Sequence, residues 1–334
     1  MVVIHSYSVA IILCVFTMIC WGSWANTQKL ASKSWSFQLF YWDYAIGVLL
    51  LSLVFALTLG SSGEEGRSFI DDLLQGDQKA ITSALLGGII FNLANILIVA
   101  AIDVAGMAVA FPVGIGLALV IGVISNYIGM PVGDPVLLFL GVAGIVAAMM
   151  IDAYLYKKLP GQNKSGTSKG LILSIVGGVL MGFFYRFVAE SMFTDPAQPE
   201  PGKLSPYTAV FVFSVGLFLS NFLWNSLVMK WPFSGPSVSF RDYFTKGNLR
   251  LHSIGILGGI IWGIGMSFSI IASGEAGFAI SYGLGQGATM IAAFWGIFIW
   301  KEFAAAPPGT NKWIGMMFLF YIVGLVLIIL SRII

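Results

Sequence analysis

Residues 86–90 read Leu86-Gly87-Gly88-Ile89-Ile90, and the same five residues return in order as Leu257-Gly258-Gly259-Ile260-Ile261. Sliding 86–128 onto 257–299, a shift of 171 without a gap, matches 12 of 43 positions. Ala105-Gly106 falls on Ala276-Gly277, and Gly114 and Gly116 fall on Gly285 and Gly287. Apolar sequence produces chance glycine and alanine matches, but an unbroken run in register with a helix-hairpin boundary is harder to dismiss.

Working outward, each copy lies in a stretch too apolar for water. A spanning helix needs about 20 apolar residues, and ten such runs occur, at 8–27, 38–60, 81–102, 106–129, 135–155, 170–190, 206–229, 253–273, 276–299 and 313–331. They do not alternate as barrel strands would. The 334-residue chain carries 17 Lys and Arg and 15 Asp and Glu, where a soluble chain of this length would hold roughly 80 charges. Mean hydropathy is +0.91. Only Asp43, Asp152, Arg186 and Glu190 fall inside the runs. The composition excludes an ordinary soluble enzyme and points to an all-α membrane protein.

The repeat divides the ten spans into 1–156 and 170–334, joined by a linker at 157–169. Each half has five spans, an odd number, so the second copy enters the membrane from the opposite side. Two inverted five-helix repeats are the expected architecture. Such halves rock against one another around a midplane site in secondary transporters. The first run lacks a basic flank and is too long for a signal-peptide core, so it should be retained. Cys14 and Cys20, six apart on one helix, are too far along its axis to bond together. No metal ligand set, cofactor motif or nucleic-acid patch stands out. The oligomeric state is not readable.

The loops after spans 1, 3, 5, 7 and 9 hold twelve Lys and Arg, and the remaining positions hold five. By the positive-inside rule the odd loops face the cytoplasm. The stretch Gly161 to Ser168 has phosphate-loop spacing between its glycines, but Thr167 stands where Lys is needed and no strand precedes it. A flexible linker is expected there. Segments 67–79 and 231–245, with aromatic and aliphatic residues among charges, read as interfacial.

Breaks at matching positions of two halves point to a transporter site. Here they are Phe111-Pro112-Val113-Gly114-Ile115-Gly116 and Tyr282-Gly283-Leu284-Gly285-Gln286-Gly287. Pro112 frees a backbone carbonyl, and Tyr282 and Gln286, four apart, fall on one helical face. Asn92, Asn95, Asn221 and Asn225 add neutral hydrogen-bonding groups. Amides beside tryptophan faces suit a small neutral solute. Asp43, between Tyr41, Trp42 and Tyr44, is the candidate proton-coupling group. Arg186 and Glu190, four apart, should pair. No charge falls at the bilayer centre, which favours neutral cargo. His5 and His252 both lie at span edges, so no nucleophile, acid and base cluster at depth; an enzyme is not expected.

Trp21-Gly22-Ser23-Trp24, Phe40-Tyr41-Trp42-Asp43-Tyr44, Gly87-Gly88 with Asn92 and Asn95, Ser125-Asn126-Tyr127, Lys230-Trp231-Pro232 leading to Ser239-Phe240-Arg241-Asp242-Tyr243, and Phe294-Trp295-Gly296-Ile297 with Lys301-Glu302-Phe303 recur in order along the chain. Together they resemble the ureide permeases of the drug/metabolite transporter superfamily, near the glucose/ribose porters. The resemblance implies a ten-helix carrier importing oxo-heterocycles such as allantoin, uracil and xanthine with protons. Ala25 replaces a proline of the plant members and the central loop is short, which implies a bacterial relative in an inner membrane. Trp21, Trp24, Asn92, Asn95, Pro112, Tyr282 and Gln286 are the candidate solute contacts, in a cavity lined by spans 1 to 4 and 6 to 9. The same groups would serve a ribose or glucose permease equally well.

Overall fold

The computed structural model describes residues 1–31, 35–159, 168–195 and 198–333. Most of the linker expected at 157–169, the glycine-rich stretch 161–167, and Lys33 and Lys164 lie outside them. Among the described residues there is no β-strand, and ten helices are long and apolar enough to cross a membrane. They are Tyr7–Ala31, Phe37–Leu57, Gln78–Ala105, Pro112–Gly129, Pro135–Lys157, Ser168–Ser191, Pro206–Lys230, Leu249–Ala276, Phe278–Ile299 and Thr310–Leu330, spans 1 to 10. Each coincides with an expected run.

Helix ends follow local chemistry. Asp77 caps span 3 by accepting from Ala80 N at 2.6 Å, and Asn248 caps span 8 by accepting from Leu251 N at 3.0 Å. The pairs Asp134-Pro135 and Ser205-Pro206 open spans 5 and 7, with a side-chain cap and proline in the first turn, where its missing N–H costs nothing. Arg186 pairs with Glu190 at 2.8 Å, as their spacing requires.

Spans 3 and 8 are the same helix twice. Both begin at an Asx cap and have 28 residues, and both end at a glycine with positive φ, +79° at Gly106 and +85° at Gly277. A side chain at either glycine would be strained. Between those ends, Gly88 lies against the carbonyl of Phe213 on span 7, and Gly259 against that of Tyr44 on span 2. A Cβ would overlap oxygen at either place, so the close approach requires glycine.

The packing follows from these contacts. Span 3 lies along spans 6 and 7, and span 8 along spans 1 and 2. Span 6 also covers span 4, and span 1 covers span 9, while spans 5 and 10 pack on each other. The largest of these contacts recur in corresponding pairs across the two halves of the chain.

Candidate functional site

A cavity of about 770 Å³ enters the bundle from the side of the odd loops, within the usual range for small-molecule sites. Spans 1 to 4 and 6 to 9 line it, as expected, and span 5 adds Tyr156. Lys29, Ser234 and Gly235 stand exposed at its mouth. Its floor is aromatic: Trp21 stacks on Trp262 with centroids 6.0 Å apart and planes at 10°, and Phe91 meets Trp262 at 4.4 Å. Trp24 packs on Tyr44 at 4.9 Å.

Two amides, Asn95 and Gln286, reach the cavity beside the aromatic floor, and Asn26, Gln28 and Gln38 line it nearer the mouth. Asn95 donates to Tyr41 Oη at 3.1 Å and has no other hydrogen bond among the described residues. Gln286 sits where span 9 breaks, between Phe278–Gly285 and Ala288–Phe294, which turns it toward the open space. Trp21 Nε1 is a buried donor with no acceptor among the described residues. Hydrogen-bonding groups are thus set between apolar ring faces, and the charged lining residues lie toward the mouth.

The structure separates the other candidates from this wall. Asn92 donates to Leu217 O at 3.1 Å and Ser220 Oγ at 2.8 Å, tying span 3 to span 7. Tyr282 donates to Ala118 O at 3.1 Å and Met181 O at 3.2 Å, so its hydroxyl joins spans 4, 6 and 9 and does not line the cavity. Pro112 belongs to a π-helical turn, Phe111–Ile115, that puts Ile115 rather than itself on the cavity wall. Asn225 donates to Gln38 O at 2.8 Å, and Asn221 is buried away from the cavity.

Asp43 lies outside the cavity, 1% exposed. Tyr243 donates to its Oδ1 at 2.5 Å, and His252 Nδ1 lies 2.9 and 3.1 Å from its two oxygens. Trp35 closes edge-on over His252 at 5.3 Å. Nothing in the sequence links His252 or Tyr243 to Asp43, because about 200 residues separate each from it. Burial, and the hydrogen bond and charge of Asp43, hold the Tyr243 phenol above its ordinary pKa, so it remains a donor.

Beyond the floor the path is shut. Tyr185 Oη contacts Ser269 Oγ at 2.9 Å and donates to Ser281 Oγ at 3.4 Å, and Cys14 Sγ donates to the same Ser281 oxygen at 3.6 Å. Thr17 donates to Gly265 O at 2.9 Å. Spans 1, 6, 8 and 9 therefore meet in one polar seam beyond the floor.

The sequence matches the ureide permease family over residues 40–170 and 163–331. The chain belongs to that family. Ureide permease family members are transporters, and this one is an integral multi-pass membrane protein. Ureide permease 1 of Arabidopsis thaliana is 24% identical over 99% of both chains. Ureide permease 3 of the same plant is 26% identical over 84% of this chain and 89% of its own. Transmembrane protein 144 homolog A of Dictyostelium discoideum is 24% identical over 53% of this chain and 43% of its own. None of these organisms is a bacterium, so the expected bacterial inner membrane draws no support from them. A solved chain described only as the crystal structure of a protein shares the fold, with TM-score 0.58, 16% identity, 98% of this chain and 100% of that one. In this ureide permease the family-like segments Trp21 to Trp24 and Trp295-Gly296 supply cavity wall, and the Phe40 to Tyr44 and Ser239 to Tyr243 segments supply the Asp43 cluster.

Proposed function

We propose that the chain is a secondary carrier for a small neutral polar solute of the ureide or nucleobase type, with allantoin, uracil and xanthine the compounds to test. The observation that carries this reading is the cavity floor, where the amides of Asn95 and Gln286 stand among the faces of Trp21, Trp24 and Trp262. Planar oxo-heterocycles offer ring faces for the tryptophans and carbonyl and N–H edges for the amides.

In this reading the halves 1–156 and 170–334 are inverted repeats that alternate access about the floor, joined through 157–169. Matched ends, glycines and packing of spans 3 and 8 support it. The Lys and Arg excess makes the odd-loop side cytoplasmic, so the cavity faces inward. Trp21, Trp24, Asn95 and Gln286 touch solute, whereas Asn92, Pro112 and Tyr282 hold the helices that carry them. Asp43, with His252 and Tyr243 beside it, takes the coupling proton.

The experiment is uptake of labelled allantoin, uracil, xanthine and ribose by cells expressing the protein, with and without a protonophore. Accumulation of one heterocycle above control, lost in Asn95→Leu and Gln286→Leu, is expected. No accumulation of any heterocycle refutes the substrate class, and uptake of ribose alone restores the sugar alternative. If Asp43→Asn leaves uptake and its protonophore sensitivity intact, Asp43 has no coupling role.

A further inference from the structure

Two buried oxygens behind the cavity wall have no hydrogen-bond partner among the described residues: Asp152 Oδ1 on span 5 and Tyr321 Oη on span 10. Asp152 is only 2% exposed. The titratable groups facing it are Tyr156, one turn along the same helix, Tyr321 from span 10, and Glu302 from the loop after span 9. None of them is a cation. Lys29, the base at this end of the cavity, is held by Glu302 at 2.7 Å.

Asp43 and Asp152 are therefore opposite cases. Asp43 has a phenol and an imidazole within hydrogen-bonding distance. Asp152 has no compensation, and a buried carboxylate left uncompensated is strongly unfavourable. A group in that position needs a ligand, and the smallest that suits it is a proton.

The cavity wall begins at Tyr156, one helical turn from Asp152. Tyr156 donates to Glu302 Oε2 at 2.9 Å, and both residues line the cavity. The other Glu302 oxygen holds Lys29, which also lies 4.3 Å over the Trp300 ring, while Trp300 Nε1 donates to Asn26 at 2.6 Å. Glu302 thus ties the mouth ends of spans 1, 5 and 9 together.

We propose that Asp152 is a second proton-binding site, loaded and emptied from the cavity beside Tyr156 and Glu302, and that its ionisation loosens the Lys29–Glu302 tie at the mouth. The site stands on its own geometry, whereas its part in coupling rests on the carrier reading above. One proton from cavity water converts carboxylate to carboxyl, and no other bond changes. When it leaves, the negative charge at Asp152 repels Glu302, whose carboxylate holds Lys29, so the contacts joining spans 1 and 9 weaken.

The test uses purified full-length protein in liposomes, as wild type, Asp152→Asn, Asp152→Glu and Asp43→Asn. Infrared difference spectra between acid and alkaline pH should show a protonated-carboxyl carbonyl band in wild type. That band should vanish in Asp152→Asn, shift in Asp152→Glu and survive in Asp43→Asn. With labelled allantoin as probe, accumulation driven by an imposed pH gradient should fall about tenfold in Asp152→Asn, while gradient-free counterflow stays within about twofold of wild type. Asp152→Glu should restore part of the driven accumulation. A carbonyl band unchanged in Asp152→Asn overturns the site. Unchanged driven accumulation, or accumulation that follows a sodium gradient and ignores pH, overturns the coupling role. If wild type shows no allantoin counterflow, the choice of probe or the carrier reading fails, and the infrared result still decides the site. Should Asp152→Asn not fold, the wild-type band and its shift in Asp152→Glu decide it.

Discussion

Phe91 and Trp262 stand 171 residues apart at matching positions of the repeat, and their rings meet with centroids 4.4 Å apart and planes at 32°. Phe213 stacks on Trp262 at 6.0 Å, and Phe184 packs edge-on against Phe91 at 5.0 Å. Ring pairs of this kind contribute about 0.5–1.5 kcal/mol beyond the area they bury. Both rings also form cavity wall, so this contact between the two halves of the chain lies on the cavity surface.

The glycines beneath those rings should respond alike. Gly88→Ala pushes a methyl into the carbonyl of Phe213, and Gly259→Ala pushes one into that of Tyr44. Overpacking of this kind costs about 1–3 kcal/mol, and thermal unfolding in detergent should show similar losses for both. A large loss at one position and none at the other would mean that the two halves are not packed equivalently.

The ten spans and the internal match were legible because hydropathy and glycine spacing are local properties of the chain. What stayed hidden depended on three-dimensional direction. Asn92 and Asn95 lie three residues apart, yet one bonds span 7 and the other reaches the cavity. Tyr282 and Gln286 stay one helical turn apart, with Gln286 N–H bonded to Tyr282 O at 3.1 Å, yet the Tyr282 hydroxyl is spent on Ala118 and Met181 while Gln286 lines the cavity. The equivalence of Asp77 and Asn248 as caps is not visible in a residue match, because the side chains differ while the hydrogen bond is the same. His252 is unremarkable until folding sets it against Asp43.

That division between the two asparagines is measurable. Asn92→Ala removes an interhelical bond of the kind that contributes about 0.6–2 kcal/mol, so it should lower the melting temperature and leave KM for the transported solute unchanged. Asn95→Ala should raise KM with little loss of stability, because the cavity still holds water there. Equal effects on KM would place both amides in contact with the solute.

The seam around Tyr185 should govern opening on the other side. Tyr185→Phe removes the hydroxyl that contacts Ser269 and Ser281. Losing a net hydrogen-bond contribution of about 0.5–1.5 kcal/mol raises the open population roughly two- to tenfold. Cys14, fully buried and bonded into the same seam, is a built-in reporter. In a Cys20→Ser background, its labelling by an impermeant maleimide from the even-loop side should accelerate by that factor in Tyr185→Phe. An unchanged rate would remove the seam from the gate.

The short helix Phe240–Lys246 links the odd-loop surface to Asp43 through Tyr243, and its own stability should depend on pH. Lys246, at 2.8 Å, and the hydroxyl and amide of Ser239, at 2.7 and 2.8 Å, hold the Asp242 carboxyl down at about 2. A pKa lower in the folded helix than in the unfolded chain means that the cap stabilises the helix above the unfolded value of about 3.9. That contribution is lost as pH falls through about 2. Amide exchange over 240–246, corrected for intrinsic chemistry, should therefore show constant protection from neutral pH to about 4 and loss of protection below it. Asp242→Ala should lack that protection at every pH and weaken the Tyr243–Asp43 contact with it. Protection that falls between pH 7 and 5 would mean that a group other than Asp242 controls this helix.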